Sequence, residues 1–237
     1  EEAPFTPLNI NQRTKVELKE QAKELGIECK LLDWASKSQD ECMQAMKDLG
    51  NDKSIHGIIV QLPTKGLKDE QSLLDCIPAS KDVDGLSNDT SELIPATPKA
   101  ILTLLEKSGT ELSGKKIAIV GQGKLVGKPL AKIMLSRGYD ISTADISTKD
   151  LVGVTMPADI VISAVGESGL INGSMIKPGA VVIDAGTSEQ NNALVGDVNY
   201  QSIENIASKV AKVPGGVGPI TVVSLLQNVV EAAKNSL

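Results

Sequence analysis

Apolar and polar positions fall along this chain in short blocks that switch between a strand period and a helix period. Apolar runs bounded by glycine or polar clusters predict strands at Cys29–Trp34, Ile55–Val60, Lys116–Val120, Asp140–Ala144, Asp159–Ser163 and Ala180–Ile183. The apolar run Ile55–Val60 reads best as a strand buried in a parallel sheet. Between them, runs of helix formers predict helices over Thr14–Leu25, Ser38–Leu49, 68–77, Pro98–Lys107 and Val126–Ser136. Gly26 and Gly50 stop the first two, because glycine readily takes the left-handed conformation that ends a helix. A final helix, Thr221–Lys234, carries Val222, Leu225, Leu226, Val229 and Val230 as one core-facing stripe. The alternation predicts an α/β fold with a largely parallel sheet. Two lobes are expected, divided near residue 100, with an irregular stretch over 78–96 and no tandem repeat.

Composition narrows the function classes. The chain has 237 residues, enough for one large or two modest cores. It holds one Phe, one Trp and two Tyr, too few platforms to stack nucleic-acid bases. Net charge is −6 and no Lys/Arg run occurs, so the footprint of a phosphate-backbone binder is missing. No apolar stretch reaches spanning length, and Glu1-Glu2-Ala3-Pro4 does not open a signal peptide, so a cytoplasmic chain with no membrane partner is expected. Three cysteines without C-x-x-C spacing and one histidine do not make a zinc site, and the thiols read as those of a reducing compartment. Imidazole acid–base chemistry is limited to His56. A small-molecule role without a metal is favoured.

The strongest local signal is Gly121-Gln122-Gly123-Lys124-Leu125-Val126-Gly127, which follows a predicted strand and opens a predicted helix. In that context glycines let the backbone approach a pyrophosphate, whose charge the helix N-terminus favours. The spacing is one residue longer than the usual dinucleotide fingerprint, and a plain strand–helix turn would also use these glycines. Asp145 ends the next strand, 24 residues after Gly121. An acidic residue there hydrogen-bonds the adenosine ribose of NAD and repels the 2′-phosphate of NADP. Gln61 follows the apolar run that ends at Val60, at a strand's carboxyl end where ligands of open α/β sheets bind. Lys81-Asp82-Val83-Asp84-Gly85, Pro95-Ala96-Thr97-Pro98 and Pro214-Gly215-Gly216-Val217-Gly218-Pro219 each read as a turn when taken alone.

Taken in order, the segments GIIVQLP, KDVDGL, PATPKA, GKLVGKPL, ADIVISAVG, GAVVIDAG, VGDV and VPGGVGPIT resemble the methylenetetrahydrofolate dehydrogenase/methenyltetrahydrofolate cyclohydrolase family. The resemblance implies two α/β domains flanking a cleft, the second a Rossmann-like dinucleotide-binding domain. Residues 1–97 plus 220–237 would form the folate-binding catalytic domain and 98–219 the NAD(P)-binding domain. Gln61 and Asp84 match the catalytic positions of the folate site, and a carboxylate at Asp84 suits the pterin edge because it accepts two hydrogen bonds from an aminopyrimidine. Pro214, Gly215 and Gly218 match a loop that lines the substrate site. Gly121, Gln122, Gly123, Val126, Gly127, Asp145, Ile146, Val165, Gly166 and Thr187 match cofactor positions, the last three on the nicotinamide side. The implied reaction passes a hydride from 5,10-methylenetetrahydrofolate to the nicotinamide, after which water opens the methenyl cation to 10-formyltetrahydrofolate. A homodimer acting on tetrahydrofolate derivatives is implied as well.

Three departures shape the expectations. The family's Tyr-x-x-x-Lys falls on Thr14 and Leu18, or one turn earlier on Asn11 and Lys15, so hydride transfer is expected to outlast hydrolysis. Tyr139 and Tyr200 lie too far along the chain to supply the folate-stacking tyrosine. The glycine loop has Gln122-Gly123 where the family has Arg-Ser, and Asp145-Ile146 stand where it has His-Ser. Both of these changes remove phosphate contacts, so NAD is expected over NADP. The family also has a helix and strand ahead of the Tyr/Lys helix, so this sequence is expected to lack part of the first lobe. A weakened homologue that binds folate or nucleotide without turnover is the alternative.

Overall fold

The computed structural model describes residues 18–236 apart from 35, 63, 65–66, 88–90, 92 and 192. The chain divides into two compact units, one running up to Leu93 and taking in Leu225 onward, the other Ile94–Ser224. Among the described residues no helix is long and apolar enough to cross a membrane.

In the first unit α1 (18–24), α2 (Gln39–Asn51) and α3 (Glu70–Leu74) are helical. Ser38 starts α2 through a capping box: its hydroxyl accepts from Glu41 N–H while the Glu41 carboxylate takes the Ser38 N–H. Cys42 and Met46 of α2 meet Leu73 and Leu74 of α3, with Ile58, Ile77 and Leu86, in a small core. Neither strand expected here forms. Residues 28–33 are exposed without a ladder partner among the described residues, and Ile55–Val60 makes only one parallel bridge, Ile58 to Asp82. An apolar run becomes a strand only where a neighbour takes its N–H and C=O groups.

The second unit carries the sheet. Its elements in order are α4 (Ala96–Lys107), β1 (Lys116–Val120), α5 (Gly127–Ser136), β2 (Asp140–Ala144), α6 (Leu151–Thr155), β3 (Ile160–Ser163), β4 (Val181–Asp184), β5 (Ser188–Gln190), β6 (Ala193–Val195), α7 (Tyr200–Ile203), β7 (Lys209–Ala211) and the start of α8 (Val217–Asn235), whose residues from Leu225 on belong to the first unit. Five strands pair in parallel in the order β2-β1-β3-β4-β7, and β5 with β6 forms a separate antiparallel hairpin. Ile117 and Ile119 of β1 pack with Ile160 and Ile162 of β3, Ile101 and Leu105 of α4, and Leu130 and Met134 of α5. The alternate residues Ala118, Val120, Val161 and Val182 face a second cluster with Ile171, Ile176 and Ile203. Covering both faces is what makes these strands apolar throughout. The hairpin, α6, α7 and β7 were not expected. The last helix starts at Val217, inside the proline–glycine segment, because Pro219 falls in its first turn, where no intrahelical N–H bond is lost.

Candidate functional site

The sheet order turns back at β1: β2 lies on one side and β3 on the other, the switch point where open α/β sheets bind ligands. Gly121 follows β1 with a φ of +91° and donates its N–H to Ala144 O at 2.8 Å. A Cβ on Gly127 would stand 1.7 Å from Gly121 O, so no larger residue fits where α5 leaves the loop. Val126 caps α5 without any side-chain bond; Lys128 N–H turns back to Gly123 O at 3.1 Å, and the dipole of this ten-residue helix favours an anion at its start. Gly123 is exposed, with open space where a side chain would be. These features fit a dinucleotide pyrophosphate. The Gln122 amide does not reach outward; its nitrogen donates to Ile119 O and Gly121 O at 3.3 and 3.2 Å.

Asp145 and Ile146 leave the carboxyl end of β2, both exposed. The Asp145 carboxylate accepts from Ser147 N–H at 2.9 Å and Ser147 O–H at 2.6 Å, and these bonds hold it below the usual carboxylate range. It is therefore an ionised acceptor one residue beyond the carbonyl that anchors the glycine loop.

Past β3 and β4, the expected residues Val165, Gly166 and Thr187 come together: a Cβ on Gly166 would stand 3.3 Å from Thr187 O. Two buried carboxylates hold this region. Asp197 accepts from the backbone N–H groups of Val165, Gly166 and Glu167 at 2.7, 2.9 and 2.8 Å and from Ser163 O–H at 2.7 Å. Asp184 accepts from the N–H groups of Gly186, Asp197 and Val198 at 3.1, 3.0 and 3.0 Å and from Tyr200 O–H at 2.5 Å. Burial pushes the Asp184 carboxyl up, against the pull of those hydrogen bonds. Sequence reasoning assigned no role to Asp184, Asp197 or Tyr200. The available signal was a carboxylate beside a glycine in Asp184-Ala185-Gly186 and again in Gly196-Asp197, since a Cβ on Gly196 would meet Asp184 Oδ2 at 2.0 Å.

Pro214 and Gly215 are exposed in the turn after β7, and Gly218 is exposed in the first turn of α8. Gly216 N–H closes the turn on Lys212 O at 2.7 Å. Val213 N–H donates to Tyr200 Oη at 2.7 Å.

In the first unit the parallel bridge from Ile58 to Asp82 sends both segments the same way, so Gln61 and Asp84 leave from one end of the pair. Gln61 is exposed, and among the described residues it donates only to Leu62 O at 3.2 Å. Asp82 and Asp84 differ sharply. Asp82 is buried and accepts from the N–H groups of Gly85, Leu86 and Ser87 at 2.9, 3.3 and 2.9 Å and from Ser87 O–H at 2.6 Å. Asp84 takes none of these donors; burial pushes its carboxyl up to about 6, with the Asp82 charge adding to the rise. The turn is braced by Asn228 of α8, fully buried, whose amide donates to Val83 O at 2.9 Å. Of the residues matched to Tyr-x-x-x-Lys, Leu18 lies in α1 and is partly buried; Asn11, Thr14 and Lys15 lie outside the described residues. Among the described residues no group of three or more His, Cys, Asp or Glu is placed to hold a metal ion.

Two family models match the chain: the tetrahydrofolate dehydrogenase/cyclohydrolase catalytic domain over residues 13–84 and the NAD(P)-binding domain of the same name over 95–237. The bifunctional protein FolD of Halalkalibacterium halodurans is 40% identical over 210 residues, 84% of this chain and 75% of that protein. Among solved structures, the bifunctional FolD methylenetetrahydrofolate dehydrogenase/cyclohydrolase of Campylobacter jejuni superposes with a TM-score of 0.92 at 33% identity, covering 97% of this chain and 86% of that one. The Trypanosoma brucei methylenetetrahydrofolate dehydrogenase-cyclohydrolase, complexed with NADP cofactor and inhibitor, gives 0.87 at 31% identity over 97% and 84%.

Proposed function

The chain belongs to the tetrahydrofolate dehydrogenase/cyclohydrolase family, and we propose that it oxidises 5,10-methylenetetrahydrofolate with NAD in preference to NADP. It is an enzyme of folate one-carbon metabolism that uses a nicotinamide dinucleotide. The relatives carry bifunctional names, so hydrolysis of the methenyl product to 10-formyltetrahydrofolate is expected of this chain beside the dehydrogenase step. The expectation of weakened hydrolysis rested on positions that, Leu18 apart, lie outside the described residues.

The observation that carries the cofactor reading is the setting of Asp145. Gly121 N–H bonds the carbonyl of Ala144, so the pyrophosphate loop and an ionised carboxylate sit side by side across the β1–β2 pair. A carboxylate there accepts from two ribose hydroxyls and repels a 2′-phosphate. Gly121, Gly123 and Gly127 with the start of α5 would hold the pyrophosphate, and Val165, Gly166 and Thr187 would face the nicotinamide. When bound, the nicotinamide supplies a hydride acceptor. Asp84, once ionised, would accept two hydrogen bonds from the aminopyrimidine edge of the pterin, and Gln61 would offer an amide at the same end of the segment pair. Residues 1–97 with 220–237 would thus serve folate and 98–219 the nucleotide, in a cytoplasmic homodimer.

Initial rates followed at the methenyl absorbance band test this reading. Faster turnover with NAD than NADP is expected, and a clear NADP preference overturns it. Loss of added methenyltetrahydrofolate above the buffer rate is expected from the second activity. Sedimentation equilibrium is expected to give twice the chain mass.

A further inference from the structure

The carboxylates of Asp184 and Asp197 and the hydroxyl of Tyr200 form one buried network that holds the three segments leaving β3, β4 and β7. Asp197 gathers the N–H groups of Val165, Gly166 and Glu167 after β3. Asp184 takes Gly186 N–H after β4 and also the backbone N–H of Asp197, which joins the two carboxylates. Tyr200 donates its proton to Asp184 Oδ2 and accepts from Val213 N–H, at the turn after β7. Among the described residues its oxygen makes the network's one hydrogen bond to that turn; its ring packs on the core beneath it and lies 5.5 Å from Lys212 Nζ at the start of the turn, contacts that do not involve the oxygen.

Strand order gives the network its place on the ligand. With the ribose carboxylate at the end of β2 and the pyrophosphate loop at β1, the rest of a dinucleotide continues over β3, β4 and β7. We propose that Tyr200 is a positioning residue for the nicotinamide half of the cofactor: its hydroxyl locks the Val213–Gly216 turn to the loops that receive the ring. The inference rests on the nucleotide reading above. Nothing in it touches the adenosine half, so the two halves should respond differently when the hydroxyl is removed.

The test is Tyr200→Phe, which keeps the ring and its packing and removes only the oxygen. Binding of NAD and of ADP-ribose, which lacks the nicotinamide, is measured by calorimetry on both proteins. NAD is expected to bind about tenfold more weakly to the variant, and ADP-ribose within about twofold of the unaltered chain. KM for NAD should rise and kcat fall, because a misplaced ring loses the near-attack geometry. Unchanged NAD affinity, or equal weakening of both ligands, overturns the proposal. An unaltered chain that binds neither ligand overturns the nucleotide reading itself. A measurement on the unaltered chain guards against a variant that fails to fold: exchange of the Val213 amide hydrogen should slow more with NAD than with ADP-ribose, and equal slowing overturns the proposal.

Discussion

Asp82 and Asp84 are two residues apart on one turn, yet Asp82 accepts four hydrogen bonds from its own chain while Asp84 accepts none of them and is held near pKa 6. One carboxylate is spent on the fold; the other takes none of those bonds and is the one proposed to meet the folate. Asp82→Ala should therefore cost about 3 kcal/mol of stability, since it strands buried N–H groups. Asp84→Asn should leave the fold at least as stable at neutral pH and weaken folate binding instead. Urea titrations of both variants, paired with folate binding to Asp84→Asn, separate the two roles.

The raised pKa of Asp84 also sets a pH dependence. Its folded value of about 6 lies above the ordinary 3.8 of an aspartate, so the folded chain holds this proton more tightly than the unfolded one. The stability it contributes is complete below about 3.8 and is lost as pH rises through about 6. Folate binding should run the other way, because only the ionised carboxylate accepts both hydrogen bonds. Unfolding free energy is expected to fall by about 2 kcal/mol more in the unaltered chain than in Asp84→Asn between pH 4 and 7. KM for the folate should fall over the same rise. A KM that is flat across pH 6 would remove Asp84 from the binding site.

Cofactor choice should follow Asp145. Its ionised carboxylate is exposed at the end of β2, and Asp145→Ser removes the repulsion that a 2′-phosphate would meet there. The ratio of kcat/KM for NADP over NAD should rise about tenfold or more in that variant, with less gain at high salt because the site is open to solvent. Gln122 bonds back to its own loop, so Gln122→Arg alone should change the ratio less than the same substitution made together with Asp145→Ser.

How far these features could be read in advance depended on whether the deciding contacts were local. β1 and β2 occupy the residues predicted for them, because both are bounded by turn residues on their own chain. The runs at 29–34 and 55–60 are as apolar but form no strand, since a ladder depends on a neighbour that no local pattern reports. The hairpin escaped because Ser188-Glu189-Gln190 carries no apolar alternation at all. Within the site, the glycine loop was legible because an α/β crossing imposes its spacing. The family motif singled out Asp84 for the ligand, but the structural role of Asp82 was not legible, as the two residues are chemically alike and only the folded turn shows which one is consumed. Asp184, Asp197 and Tyr200 were hidden because, Gly186 apart, their partners lie 13 to 34 residues away.

The tightest constraint in the glycine loop is steric. A Cβ on Gly127 would meet the Gly121 carbonyl oxygen at 1.7 Å, and that carbon–oxygen approach cannot be relieved by rotating a side chain because both partners are backbone. Either α5 or the loop after β1 must move in Gly127→Ala, and the loop is the less supported of the two, since α5 is held in the core by Leu130 and Met134. Displacing it separates Gly121 N–H from Ala144 O and shifts the backbone that would face the pyrophosphate. The variant should lose about 2 kcal/mol or more of stability and most of its cofactor affinity, so that NAD no longer raises the melting temperature. Gly123→Ala is the matched control, because a Cβ there meets nothing within 4 Å. It should melt within about 2 °C of the unaltered chain without ligand. Equal loss of NAD stabilisation in both variants would point to ligand contact along the whole loop; loss in Gly127→Ala alone is the outcome the packing predicts.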